Sequence, residues 1–294
     1  MIFGGKNRLE NGKMYVISIV FETDNIKAVV YGKDYDRVAV KEGGYSSEDN
    51  AVANAATLCK SLLCECAIKA EDVEYIGAAV PQGMGALCDV AQALEREVGI
   101  KTMAEDMINA KALGEAYAAG DKSSLVMIKI EDTIESGVVI DKKIYAGVAH
   151  LGGKLAHMVI NFGGYDCACG RKGCFEAYAS NGALKRIASE AGVADAEEIT
   201  AAKLFAKCDS AAEAAKEEYV SYLANAITNV INLFQPQELV LEGSFTEAGD
   251  ALMKPLMDIV LREQYSRDLP DKCNVRFANT DVDTTSIGAA LIGR

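Results

Sequence analysis

The sequence predicts an α/β protein of two lobes, each opening on a β-meander and continuing as alternating helices and strands. Three observations carry this. Short strand-like runs occur in a set over residues 15–40 and in a second set from 124. Each set is followed by helical periodicity interleaved with further buried strands, the order that builds an α/β domain around a mixed sheet. The length, 294 residues, fits one large domain or two of ordinary size. The duplication is architectural, because no sequence identity between the halves is visible. Two such lobes hold a ligand in the cleft between them.

The elements follow in order. MYVISIVF, IKAVVYG and DRVAVKEG read as strands, separated by turn residues at Asp24–Asn25 and Gly32–Lys33–Asp34. Ser46 and Asp49 resemble a capping box that opens a helix running to about residue 68. VEYIGAAVP is a buried strand ending at Pro81, and helices follow near 86–98 and 107–119. In the second half LVMIKI, SGVVID and KKIYAG are strands. The long helix at 211–234 carries Val220, Leu223, Ile227, Val230, Ile231 and Phe234 on one apolar face. Tyr219, Tyr222 and Phe234 on this helix read as core or a dimer face, with a cofactor-stacking set as the alternative. ELVLEG, a helix at 246–262, the strand VRFAN and the helix SIGAALIG close the chain.

Composition narrows the function. Half the residues are apolar and a quarter charged, which is globular composition. No apolar run approaches the roughly 20 residues that cross a bilayer. No apolar h-region follows the first charges, so a cytoplasmic protein without membrane attachment is expected. The net charge of −13 repels phosphate backbones, so no nucleic-acid binding is expected of this chain alone. Nine cysteines, an odd count at close spacings, suit thiol or metal chemistry better than disulfides.

The cysteine pattern is the strongest chemical signal. His157, Cys167, Cys169 and Cys174 give H-x9-C-x-C-x4-C, a tetrahedral set for one Zn²⁺. Gly163, Gly164, Gly170 and Gly173 lie between the ligands, where a chain wrapping an ion turns sharply. The alternative is three free thiols grouped in a loop. Cys59, Cys64, Cys66, Cys88, Cys208 and Cys273 read as buried or bystander thiols.

The stretch GGKLAHM followed by CACGRKGCFEAYAS resembles the ROK family of bacterial sugar kinases and related repressors. NAKALGEA at 109–116 and the closing SIGAALIG resemble two further family segments, and the likeness extends from about residue 14 to 294. The resemblance implies an actin-like, hexokinase and ribonuclease H-like pair of α/β domains with a structural zinc loop. It implies a linker-like tail at 1–13 and an N-terminal domain at 14–121 on which the closing helix, 282–294, packs back. A C-terminal domain at 122–281 would carry the zinc loop and dimerisation helices, and a homodimer is implied. FGGKNRLENGKMYV is similar to the linker that follows the DNA-binding domain of ROK repressors. The chain reads either as a repressor-type body without its reader domain or as a body with a basic tail of Lys6, Arg8 and Lys13.

Against the family's kinase motifs the chain departs. VFETDN stands where kinases carry D-x-G-G-T-K, EDTIESG stands for G-T-G-x-G-G-G, and LEGSF stands for the adenosine-side glycines. Side chains, three of them the acids Glu131, Asp132 and Glu135, occupy positions where backbone would approach phosphate. EDMIN replaces E-N-D-x-N, placing Met107 at the catalytic Asp and Asp106 beside it. A thioether cannot accept a proton. His157 and Glu176 match family residues that touch sugar hydroxyls, and that histidine also ligates zinc. Lys154 replaces a glutamate, which favours an acidic sugar or sugar phosphate, held with Asp106, His157 and Glu176 as the remaining ligand-facing residues. Alternatively Lys154 pairs with Asp106 or Glu176 and no sugar binds. The sequence therefore predicts a zinc-containing regulatory or sugar-sensing protein without kinase activity. An ATP-dependent sugar kinase with an altered, Mg²⁺-holding site is the alternative, and a structural partner protein is a third.

Overall fold

The computed structural model describes residues 14–148, 150–270 and 272–294; the tail at 1–13 lies outside the described residues. The chain divides into two compact units, one of residues up to Asp121 with Asn279–Arg294, the other of Lys122–Ala278.

In the first unit β1 (Tyr15–Phe21), β2 (Asn25–Tyr31) and β3 (Arg37–Gly44) form an antiparallel meander. α1 (Glu48–Glu65), β4 (Val73–Val80), α2 (Leu87–Val98), β5 (Thr102–Asp106) and α3 (Met107–Ala118) follow. The sheet order is β3-β2-β1-β4-β5, with β4 parallel to β1 and β5 parallel to β4. β1 is central and buried from Val16 to Phe21, which explains why its run is apolar except for Ser18, whose hydroxyl meets that of Ser286. β3 lies at the edge and alternates in exposure.

Three expectations shift here. β5 is a strand with no sequence signature: TMAED is short, half polar and runs into α3 without a turn residue. The capping box sits one position later than Ser46 and Asp49. Ser47 is the N-cap, and its N–H donates to Asn50 Oδ1 at 3.3 Å. α1 stops at Glu65 rather than near 68, because Ala67 turns to a φ of 52° and the Ile68 N–H closes back on Leu63 O.

The second unit repeats the plan. β6 (Leu125–Ile130), β7 (Ile134–Ile140) and β8 (Lys143–Ile144) form the meander. α4 (Glu176–Ala179), α5 (Asn181–Glu190), α6 (Ala201–Ala206), α7 (Ser210–Phe234), β9 (Glu238–Glu242), α8 (Asp250–Glu263) and β10 (Asn274–Phe277) follow. The order β8-β7-β6-β9-β10, with β9 parallel to β6 and β10 parallel to β9, copies the first sheet strand for strand. The helix expected from 246 begins only at Asp250. A 3-10 turn over Ser244–Ala248 precedes it, and Gly249 separates the two at a φ of 56°. α7 buries Val220, Leu223, Ile227, Val230 and Ile231. Tyr219 is wholly buried, donating its hydroxyl to Ala179 O at 3.0 Å, while Tyr222 and Phe234 pack on the same core. These aromatics are core residues. The chain then returns to the first unit as α9 (Thr284–Leu291). Among the described residues no helix is long and apolar enough to cross a membrane.

Burial has a consequence for pH. Burial pushes the Cys59 and Cys273 thiols up to about 12. Their folded values exceed the unfolded value of roughly 8.5, so their stabilising preference for the thiol is complete below about pH 8.5 and is lost as pH rises toward 12. Each thiol contributes a slope of about 1.4 kcal/mol per pH unit across that window. The melting temperature is expected to hold near neutrality and fall above about pH 9. Cys59→Ala should show a shallower fall over the same range, and an unchanged slope would exclude this thiol as a cause.

Candidate metal and ligand site

Residues 155–175 fold as a small knot whose backbone is tied before any side chain is considered. Val159 bridges Cys174 and Asp166 bridges Lys172. The Cys167 N–H donates to Arg171 O at 2.9 Å, and the Gly173 N–H to Tyr165 O at 2.8 Å. Gly173 must be glycine: its φ is 78°, and a Cβ would lie 1.8 Å from Asn161 O. The knot hangs on Tyr178 of α4, whose buried hydroxyl accepts from Asn161 Nδ2 at 3.0 Å and the Tyr165 N–H at 2.9 Å. Arg186 of α5 lies over the Tyr165 ring at 3.9 Å and donates to Ala177 O.

This scaffold brings His157, Cys167, Cys169 and Cys174 together, with one ligand atom from each and all of them within 4.8 Å of one another. Cys167 Sγ lies 3.6 Å from His157 Nδ1, and Cys169 Sγ lies 3.6 Å from Cys174 Sγ. A zinc tetrahedron with bonds of about 2.3 Å to sulfur and about 2.0 Å to nitrogen has edges of roughly 3.5 to 3.8 Å. Donor type and number therefore fit a zinc ion, and the two separations of 3.6 Å match such edges. Cys174 is buried, and that burial with the neighbouring thiols pushes it up to about 12. Cys169, exposed, is held below the usual thiol range chiefly by the backbone N–H of Arg171. A divalent cation reverses the balance at Cys174, because coordination favours the thiolate.

The residues expected from the sequence to face a ligand belong to different units. Asp106 and Met107 belong to the first, as the N-cap and first residue of α3. Lys154, His157 and Glu176 belong to the second. Lys154 leads into the 3-10 turn Leu155–His157. Glu176 opens α4, where Oε2 accepts from the Ile134 N–H at 2.9 Å and Oε1 lies 3.9 Å from Cys167 Sγ. Glu176 thus links the cysteine knot to the start of β7, a connection with no sequence signature. Tyr178 and Arg186 were also unassigned. Tyr178 lies inside the cysteine motif, but its role depends on Asn161, which only folding brings near.

A model of the ROK family matches residues 63–294. The chain belongs to the ROK family. It is similar to the xylose repressor of Bacillus subtilis strain 168, with 30% identity over 183 residues, covering 61% of this chain and 47% of the repressor. It is also similar to a glucokinase of Halalkalibacterium halodurans, with 32% identity over 217 residues, covering 68% of this chain and 65% of the glucokinase. The matches span less than two thirds of either relative. Among solved structures, the ROK hexokinase from Thermus thermophilus superposes with a TM-score of 0.80 at 23% identity, covering 95% of this chain and 97% of that one. At that identity the likeness establishes the fold. This ROK chain therefore has both repressor and kinase relatives.

Proposed function

We propose that this ROK protein is a sugar-responsive regulator that holds one zinc ion and does not transfer phosphate. The observation that carries the reading is the junction of β5 and α3. A sugar kinase needs a carboxylate within reach of the reacting hydroxyl to take its proton. Here Glu105 is buried, and its Oε1 accepts from the Asp106 N–H at 2.9 Å and Asn109 Nδ2 at 3.0 Å. Met107 is the first residue of α3, where the family resemblance places the base. Asp106 precedes it, and one residue on a helix turns the side chain by about 100°.

The retained features suit recognition. If His157 binds zinc through Nδ1, its Nε2–H is left to donate to a sugar hydroxyl, with the tautomer fixed by coordination. Zinc closed by four protein ligands is structural and holds the knot in place. Lys154, three residues before His157, brings a cation where a carboxylate would suit a neutral hexose, so the favoured ligand is a hexuronate or hexose phosphate.

A coupled assay with ATP and a sugar panel is expected to show no turnover, and a melting scan is expected to show a rise with an anionic sugar. Saturation to about 100 times Kd is worth about 2.7 kcal/mol, enough to read as a shift of several degrees. Turnover that disappears in Asp106→Asn would install a kinase in place of the regulator. A flat melting scan across all sugars would remove sugar sensing and leave a partner-binding body.

A further inference from the structure

Three helices of the second unit enclose a groove that has no part in the reading above. α6 contributes Phe205, α7 contributes Glu213, Lys216, Glu217 and Val220, and α8 contributes Ala251, Pro255 and Ile259. None of these residues belongs to the cysteine knot, to the stretches compared with kinase motifs, or to the residues expected to face a sugar. We propose that the groove binds a small amine, an ammonium group carried on an aryl or alkyl body.

The walls set the body of the ligand. Phe205 and Ile259 are half-buried and Val220 is buried, which gives the groove apolar sides from all three helices. Its volume is about 410 Å³. Ligand pockets run from roughly 300 to 1,000 Å³, so there is room for one small molecule.

The polar groups set the head. Lys216 is the one cation among the lining residues, and it is already engaged. Its Nζ donates to Glu213 Oε1 at 2.7 Å and to Lys207 O, and lies 6.0 Å from the centre of the Phe205 ring. Glu217, exposed, makes no ion pair among the described residues. Lys254 of α8 is paired with Asp250 at 3.5 Å. The uncompensated charge of the lining is therefore a carboxylate. α8 adds an acceptor. Pro255 lies inside the helix and has no N–H, so the Ala251 carbonyl one turn earlier receives no helical bond from it. A main-chain carbonyl is an obligatory acceptor, and this one takes its hydrogen from solvent or from a ligand. An ammonium answers both groups, with its charge to Glu217 and an N–H to either oxygen. The Phe205 ring face, which already attracts Lys216, favours a cation as well. A carboxylate of the same shape meets the charge of Glu217 and offers the carbonyl no hydrogen.

Neither zinc, sugar nor phosphate transfer enters this inference, so it stands apart from the proposed function. The test uses the full chain and 2-phenylethylamine, with 3-phenylpropionate at matched ionic strength as the charge-reversed probe of similar shape. Isoleucine and valine methyl resonances locate the site, and their titration gives Kd. The amine is expected to shift the Ile259 and Val220 methyls saturably. It should bind about tenfold more tightly than the carboxylate, since an attraction at Glu217 replaces a repulsion of similar size. Glu217→Gln should bring the two probes within about threefold of each other. Asp141→Asn removes an exposed charge from the β7–β8 turn of the same unit and should leave the preference unchanged. Pro255→Ala gives Ala251 O a helical partner and should weaken the amine by about threefold, with no loss of stability.

Equal affinity for both probes in the wild-type protein would make the groove an apolar slot and overturn the amine. A preference that survives Glu217→Gln, or that Asp141→Asn lowers as far, belongs to the net charge of −13 and overturns the site. No saturable shift, or shifts only at methyls outside the groove, overturns it without any variant. A melting rise with an anionic sugar beside a flat amine titration would leave the regulator standing and remove this site alone.

Discussion

Cys174→Ser is expected to lose the single zinc ion and several kcal/mol of stability, while Cys208→Ser loses neither. The two residues test the site because they differ in place and share their chemistry. Cys174 is buried within the four-atom cluster, and Cys208 is exposed and outside it. A closed zinc site contributes its binding free energy to folding, and removing one ligand forfeits much of that. Destabilisation of about 3 kcal/mol lowers the melting temperature of a domain of this size by roughly 6–12 °C. The loss should reproduce in wild-type protein treated with a chelator and reverse on adding zinc. Because the thiols must deprotonate to bind, the metal should also leave as pH falls. Metal analysis of protein purified without chelator decides the matter. Less than about a tenth of an equivalent of zinc, with equal melting temperatures for both variants, would leave a cluster of free thiols.

The effect should extend beyond the knot. Glu176 faces Cys167 through one oxygen and holds the Ile134 N–H through the other. Ile134 begins β7, directly after the turn that carries Glu131. The candidate metal cluster and the acidic turn are therefore joined through the Glu176 side chain. A metal that fixes the knot also fixes the residue proposed to read the sugar.

Much of this was legible in the sequence because it is local. The four candidate metal ligands lie within eighteen residues, and their grammar of C-x-C with a third cysteine survives without a fold. The doubled meander was legible because period-two patterns and nearly continuous apolar runs mark edge and central strands. β5 was not, because a strand paired on one side only, half polar and fused to a helix, has no such signature. The setting of Glu131 was half legible. The acid in a phosphate-like loop could be read, but its donors lie 50 and 113 residues away. A charge that reads as repelling phosphate is, in three dimensions, satisfied by hydrogen bonds from Ser244 and Asn181. The same limit hid Tyr178 and Arg186, whose partners are set by the folding of the knot.

Glycines in helices were another conflict that only packing resolves, and they lead to the second large expectation. Gly288→Ala in α9 should destabilise the first unit by about 2 kcal/mol or more, against a propensity gain of about 1 kcal/mol for alanine in a helix. A Cβ at Gly288 would lie 1.7 Å from Ala110 O and 2.9 Å from Gly114 N; one at Gly114 would lie 1.8 Å from Thr284 O. Two helix backbones touch here without side chains between them, so there is no rotamer to move, and α3 and α9 must part. Parting them strains the polar contacts that lock α9 in place. Glu115, fully buried in α3, accepts from the Asn279 N–H at 2.9 Å and Thr284 Oγ1 at 3.2 Å. Ser286 meets Ser18 at 2.6 Å inside the unit, and Asp283 pairs with Lys27 at 2.8 Å. Gly182 of α5 is the control, since its Cβ would meet only Ser180 Oγ at 3.9 Å, and Gly182→Ala should be neutral or mildly stabilising. Urea unfolding of both variants makes the comparison. Equal midpoints would mean that the α3–α9 approach yields freely, and that the closing helix is not what holds Asp106 and Met107 at the end of β5.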